Sequence, residues 1–484
     1  MQIPQGLCLA RSSRATSLGL PSAAPAPRLR VYFSPPHQRR RHLEINKRPM
    51  SRLGTSSLTF FATLLACTQS IAASAAALHV PNDVGSVLPI IQQTYTYLHH
   101  NPELGKKEFK AHEFIEARLR ELGYRDFVPS TSVPTAVIAI LDSGRPGPVV
   151  ALRAEMDARP LPSGENEPDS HSPHSELPGL MHNCGHDVHA SILLGTAAEL
   201  MHHRSWLHGK VVFLFQPAEE TPGGADDIVA ETLLEKLKVT KIYAEHSAPG
   251  VPVGTIAISP GPTMAGSNYF TLDLDGRSSH AAAPFEGDDV LLSAAKIVEA
   301  ISTAPARRFE IAMRPVVVSI TKLSADGGAS NVLPSHAAIA GTIRAFEDPK
   351  TAPAGQSSIE QNLLALIEGL AKTYNLKYTW NLRVASPPTI NNPILFDGTV
   401  PALSASFPGK VDTSPYKGMY SEDFAYYTPL FQSLYFSLGI AKDGLGNAGV
   451  HTKDFTVHPD AFRYGLTLMT LLAQIGTVES RTRP

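Results

Sequence analysis

The run Met181-His182-Asn183-Cys184-Gly185-His186-Asp187-Val188-His189 brings a thiol and three imidazoles into nine positions. A Cys-x-His pair can aim a thiolate and a neutral imidazole at one cation when the residue between them lets the chain fold back, as Gly185 does here. The competing reading is a buried cysteine flanked by surface histidines, since free cysteine is among the most buried residue types. Three other places bear on the choice. Asp157 closes one apolar run, Glu219 and Glu220 follow a second, and His246 follows a third. Adjacent carboxylates at the end of a buried strand repel each other unless a proton or a cation separates them. Thiolate, imidazole and carboxylate together suit zinc or another first-row divalent ion.

These residues need elements to position them. Residues 88–100 and 108–122 show helical spacing, the second with Phe109, Ile115, Leu119 and Leu122 on one face and Gly123 as its stop. Residues 136–141 and 149–153 read as strands, 190–201 as a helix, 210–215 as a buried strand and 241–245 as a short strand. Strand ends then carry Asp157, Glu219/Glu220 and His246, with the Cys184/His186 loop ahead of the helix. That is a site at one edge of a mostly parallel sheet. The loop at 160–179 has no period, so its His171 and His174 are expected in solvent.

The texture changes between residues 263 and 374. Strands are expected at 268–275, 316–323 and 336–344, and helices at 289–302 and 359–372, which describes a βαβ-like satellite inserted into a larger domain. The chain returns over 375–484 with a strand at 434–438, His451 on the loop after it and a last helix at 461–475. His458 is expected to be a loop or helix-start histidine, because no second ligand type accompanies it.

Composition narrows the function. The chain has 484 residues, 43% hydrophobic and 18% charged, with net charge −2, a globular balance sized for two or three domains. No long basic run lies in the folded region, which argues against nucleic acid and for a small-molecule partner. Residues 1–49 are rich in Arg and Pro with Glu44 as the single acid, and a second start at Met50 leads into an apolar stretch and an Ala-rich tract. This is the layout of a leader and secretory signal removed near residue 77, giving an exported protein, periplasmic or secreted. Lipoprotein anchoring at Cys67 is the alternative. The apolar stretch is shorter than the roughly 20 residues a membrane span needs. Of Cys8, Cys67 and Cys184, a mature chain from Leu78 keeps Cys184 alone and forms no internal disulfide. A lone thiol in an oxidising compartment is a liability unless buried or ligated, which favours the metal reading.

The ordered segments 151–158, 182–189, 215–220 (Phe-Gln-Pro-Ala-Glu-Glu), 278–284 (Ser-Ser-His-Ala-Ala-Ala-Pro), Asn331-Val-Leu-Pro, Ser421-Glu-Asp-Phe and the late His451 resemble the metallo-amidohydrolases of the aminoacylase and carboxypeptidase group. The branch is the one with hippurate hydrolases, auxin-conjugate hydrolases and N-acetyl-diaminopimelate deacetylases, and the resemblance runs from about residue 88 to 472. It implies an α/β, zinc-peptidase-like catalytic domain for two divalent ions (78–262 and 375–484), with the 263–374 satellite as an α+β dimerisation or lid domain. It implies metal ligands Cys184, His186, Glu220, His246 and His451, Glu219 as general acid/base and Asp157 as support of the metals. His280 would help to bind the substrate or its oxyanion, and Asn331 and Arg344 the substrate's carboxylate end. The ions implied are zinc, or manganese, cobalt or nickel. The reaction implied is hydrolysis of N-acyl or N-aroyl amino acids, with carboxypeptidase or dipeptidase activity as the alternative, by a homodimer or higher homo-oligomer without a membrane span. Three departures lie near the expected pocket: Glu155 where Asp is usual, Ser-Ala-Pro after His246 where Asn-x-Pro is commoner, and Phe285 where His is frequent.

Overall fold

The structure is a computed structural model that describes residues 78–81, 84–414 and 417–478. The expected leader, Met50 and Cys67 lie outside the described residues. Two amphipathic helices come first, α1 (Leu88–His100) and α2 (Phe109–Glu121). The buried stripe of α2 is Ala111, Ile115 and Leu119, while Phe109 is 62% exposed. The expected face therefore differs at its start, where Phe109, the first helical residue, stays in solvent.

Four strands follow: β1 (Val137–Asp142), β2 (Val149–Glu155), β3 (Lys210–Gln216) and β4 (Val239–Pro252), with helix α3 (His186–His202) between β2 and β3. The middle of each strand is buried on both faces, which explains their continuous apolar runs. Helix α3 is buried almost throughout, and Gly195 lets it approach α1, since a Cβ there would lie 2.3 Å from Ile91. Cutting Leu193 to Ala in this core would cost about 2–5 kcal/mol.

The chain then builds a separate small sheet from β5 (Gly266–Asp275), β6 (Val316–Ser324), β7 (His336–Ala345) and β8 (Lys377–Ser386), with helices α4 (Val290–Arg308) and α5 (Ile359–Thr373). Its order is β6-β7-β5-β8 and every pairing is antiparallel. Alternation on β5 sends Phe270, Leu272 and Leu274 into a core shared with α4 and α5, and leaves Tyr269 and Thr271 on the open face. A Ser358/Gln361 capping box starts α5. The edge strand β8 lies beyond residue 374, so this sheet uses more of the chain than the sequence texture suggests.

The return segment adds β9 (Gln432–Ala441), parallel to β4, and α6 (Asp460–Thr477). The large sheet runs β1-β3-β2-β4-β9, extended at its two ends by two-residue strands. Strands β3, β2, β4 and β9 are parallel and β1 is antiparallel to β3. Helices α1, α3 and α6 cover one face, while Phe424, Tyr427 and two short helices cover the other. Strand β4 is longer than expected, running on past His246, because β9 pairs with it through Ser247 and Ala248. From β2 the chain moves to β3 on one side and then to β4 on the other. The crevice at the carboxyl ends of these strands is a topological switch point.

Candidate metal centre and active site

Asp157, just past β2, anchors the crevice. Its backbone oxygen and Oδ1 lie 2.9 and 3.2 Å from His186 Nδ1, and its two carboxylate oxygens accept from the backbone N–H groups of Glu219 and Glu220 at 3.1 and 3.0 Å. One buried side chain thus fixes the imidazole and the turn carrying the paired carboxylates. That turn leaves β3 through Ala218, whose φ of 60° is unusual for a residue with a Cβ and is held by an N–H bond to buried Glu108 at 2.8 Å.

Gly185 is at φ 88°, and a Cβ there would meet Ser247 Oγ at 2.9 Å. The Cys-Gly-His turn therefore requires glycine for both conformation and space. Cys184 Sγ lies 3.5 Å from His246 Nε2, and the other nitrogen of His246 lies 2.9 Å from the Ser247 carbonyl. His451 occupies a left-handed conformation, φ 65°, and its N–H donates to Asn183 O at 2.7 Å, tying the late loop to the Cys184 turn. Its Nε2 is 2.9 Å from Glu220 Oε1, while Arg159 pairs with the other oxygen of Glu220. Strained, non-glycine backbone held by its surroundings is typical of functional positions.

The structure therefore brings Asp157, Cys184, His186, Glu219, Glu220, His246 and His451 into one crevice. Two ligand-atom sets stand out: Cys184 with His186 and His246, and Cys184 with Glu220 and His451. The thiol is common to both. The fit to cations is chemical as well as geometric. His186 Nε2 is buried with no hydrogen-bond partner while Nδ1 is fixed by Asp157, which leaves an oriented ring nitrogen aimed into the cluster. Burial raises the Cys184 thiol, but His246 and His186 outweigh it and bring its pKa to about 6, within reach of the thiolate at neutral pH. Burial and the carboxylates of Glu422, Asp423 and Glu220 push Glu219 well above the usual range. His451 is held up at about 9 by Cys184 and Glu220. The crevice is an anionic cluster that draws positive charge to itself.

Beneath it lies a layer to which the sequence reading gave no role. Arg153, fully buried in β2, donates Nε to Gln216 Oε1 at 2.9 Å, pairs with Glu155, and reaches Glu422 Oε1 at 2.9 Å and Asp423 Oδ1 at 2.5 Å. Glu155 Oε2 lies 2.8 Å from His189 Nδ1, and His189 Nε2 accepts from the Ser247 N–H at 2.8 Å. Asp423 N–H faces Glu219 Oε1 at 3.4 Å. This network holds β2, β3, β4 and the 422–426 turn in register under the crevice. Its signal in the sequence is a charged residue inside an apolar strand, which is tolerated only when paired.

The site opens into a cavity of about 1140 Å³, lined by Cys184, Glu219, Glu220, His246 and His451 and by the small-sheet residues Ser267, Tyr269, Arg344 and Arg383. Arg344 donates to Ser421 Oγ at 2.7 Å. His280 and Asn331 are not brought there. They sit together, exposed, with 3.4 Å between His280 Nε2 and Asn331 Nδ2, outside the lining of this cavity. The 160–179 loop also differs from expectation. Buried Glu167 lies 2.9 Å from His99 Nε2 and 2.9 Å from His171 Nδ1, and His99 Nδ1 lies 2.7 Å from Asp187 Oδ2. His171 is thus half-buried and partnered rather than solvated, because Glu167 folds its loop inward against α1. His458 starts α6, accepting from the Asp460 N–H at 3.1 Å.

An α/β sheet whose switch-point crevice gathers a thiol, three imidazoles and paired carboxylates defines a metal-dependent hydrolase. Residues 151–475 match the model of peptidase family M20/M25/M40, and the chain belongs to that family, whose members hydrolyse amide and peptide bonds. It is 31% identical over 331 residues to N-acetyl-L-cysteine deacetylase of Bacillus subtilis (strain 168), covering 68% of this chain and 76% of the relative. It is also 31% identical over 396 residues to thermostable carboxypeptidase 2 of Saccharolobus solfataricus, covering 81% and 96%. Among solved structures, the Bacillus subtilis YXEP protein, described as a dinuclear metal binding peptidase from the M20 family, superposes with TM-score 0.69 at 26% identity, covering 81% and 99%. No helix among the described residues is long and apolar enough to cross a membrane.

Proposed function

We propose that this chain hydrolyses the amide bond of N-acyl or N-aroyl amino acids, with two divalent ions, zinc foremost, held by Cys184, His186, Glu220, His246 and His451. The observation that carries the reading is the pair of ligand sets sharing Cys184 beside Glu219, whose Oε1 faces the Asp423 N–H at 3.4 Å. Ions bound there supply Lewis acidity, which lowers the pKa of water and polarises the amide carbonyl. Glu219, poised high by burial and its neighbours, takes the proton of the attacking water and returns it to the departing amine. Asp157 keeps His186 in one tautomer and holds the Glu219 backbone while that proton moves. Arg344, without a carboxylate partner among the described residues and open to the cavity, takes the substrate's carboxylate and so sets the distance from that end to Glu219. His280 and Asn331 reach such a substrate only by closure of the small-sheet body or from a second copy of the chain, so their part in substrate or oxyanion binding is a role for the closed or dimeric state.

The test is hydrolysis of N-acetyl and N-benzoyl amino acids, beside dipeptides with a free amino end, by chelated protein resupplied with single metals. Metal-dependent release of amino acid from the acylated compounds alone is the expected result. Turnover of the dipeptides instead would move the enzyme to the peptidases. Export, for its part, predicts a mature chain that begins near Leu78, readable as the amino-terminal mass of the protein recovered from its producing cell.

A further inference from the structure

The floor of the cavity is already charge-paired. Glu220 is engaged by Arg159 and His451, and Glu422 and Asp423 by Arg153. The roof is not. Arg344 on β7 has Ser421 Oγ as its hydrogen-bond partner, and Arg383 on β8 rests over the Tyr269 ring, 5.2 Å from its centroid. Neither guanidinium has a carboxylate within ion-pair distance among the described residues, and both line the cavity.

Their positions in the sheet are related. Arg344 pairs with Ser267 and Arg383 with Tyr269 on the shared neighbour β5. Ser267 and Tyr269 are two residues apart, so they and their cross-strand partners stand on one face. Two strand spacings across and two residues along place the two arginine Cα atoms about 12 Å apart, a gap that two long side chains can close onto one small dianion. Arginine does not lose its charge, and its planar fork matches carboxylate geometry. One substrate carboxylate, at Arg344, satisfies only half of this arrangement.

We propose that Arg383 is a specificity residue that takes a second carboxylate, so that the preferred substrates are N-acyl derivatives of acidic amino acids. This rests on the amide-hydrolase reading above. Both arginines come from the same face of the small sheet, so both anions belong to the same half of the substrate. The α-carboxylate and the side-chain carboxylate of one amino acid are separated by a few bonds. A carboxylate on the acyl group would lie across the scissile carbonyl, which must reach Glu219. Tyr269 positions Arg383 from below and supplies an apolar flank for the side-chain methylenes.

The experiment compares N-benzoyl-L-glutamate with its uncharged near-isostere N-benzoyl-L-glutamine and with N-succinylglycine, on the metal-loaded full chain. The expected result is kcat/KM at least about tenfold higher for the glutamate than for the glutamine compound, carried mainly by KM, as a charge-assisted hydrogen bond implies. Arg383→Gln should bring that ratio to about one, and Arg383→Lys should restore part of it. A wild-type ratio near one, or a ratio that survives Arg383→Gln, overturns the proposal. Preference for N-succinylglycine overturns it by placing the second carboxylate on the acyl side. If no compound is turned over, the hydrolase reading itself fails. Equilibrium binding of the glutamate and glutamine compounds to Glu219→Gln protein then decides the inference alone, equal affinities contradicting it.

Discussion

The floor and the roof of the cavity are built on opposite principles. On the floor buried polar side chains are each tied to several partners: Asp157 to three groups, Arg153 to four, and His189 to Glu155 and Ser247. On the roof, Arg344 and Arg383 stand on an open sheet face against Ser421 and Tyr269, with no ion pair among the described residues. A preorganised floor costs no reorganisation when charge develops during the reaction. A loosely tied roof leaves its donors free for whatever the substrate brings. On the proposed function, chemistry belongs to the large sheet and selection to the small one, and variants on the two sides should fail in different ways.

The largest effect is expected at the floor's moving part. Glu219→Gln should lower kcat about a hundred- to ten-thousandfold with metal content intact, and full activity in that variant would remove Glu219 from the proton path. The next concerns the layer beneath. Arg153→Ala strands the buried carboxylates of Glu155, Glu422 and Asp423 and should cost about 3–5 kcal/mol in chemical denaturation. A near-neutral result would mean that the layer is not what sets the floor.

A third prediction sits beside the floor, where Glu167, His99 and Asp187 join the 160–179 loop to the residue after His186. Burial pulls His99 down, but hydrogen bonds to Asp187 and Glu167 carry its pKa up to about 9. Burial raises Glu167, but His99 brings it to about 2. His99 binds its proton more tightly when folded, so its stabilisation is complete below about pH 6.5 and fades as pH rises through about 9. That of Glu167 is complete above its ordinary carboxylate range and fades as pH falls through about 2. His99→Gln should remove about 2–3 kcal/mol near pH 6 and flatten the alkaline limb of a Tm against pH curve. An unchanged limb would sink the ion-pair account. The smallest effect belongs to the roof: Arg344→Ala should raise KM for an N-acyl amino acid about tenfold with kcat nearly kept. A fall in kcat alone would put Arg344 with the chemistry.

Much of the floor could be read from the chain, because its residues sit at the ends of apolar runs or in one dense cluster. Cys184, His186, Glu219, Glu220 and His246 all announce themselves that way, and the elements that carry them formed close to where hydrophobic periodicity placed them. Arg153 was legible only as an oddity inside a strand, since its partners Glu422 and Asp423 lie some 270 positions on and meaning arrives only when the sheet closes. The inward turn of Glu167 was invisible for the same reason: its partner His99 belongs to another element. The roof was least legible. Arg383 lies past the residue where the small sheet was expected to end, and a half-exposed strand with mixed polarity gives no period that separates an arginine facing a cavity from one facing water. His280 and Asn331 show the converse. Their segment is distinctive in sequence, yet a single chain does not bring them to the cavity.

The account turns on the floor being a two-ion hydrolytic centre. Its most direct test is to strip the protein with a chelator, titrate zinc back, and follow hydrolysis of N-benzoylglycine. Activity that is absent at the start and levels off at about two equivalents per chain is the predicted result. Activity that persists after stripping, or metal uptake that never restores it, would contradict the account.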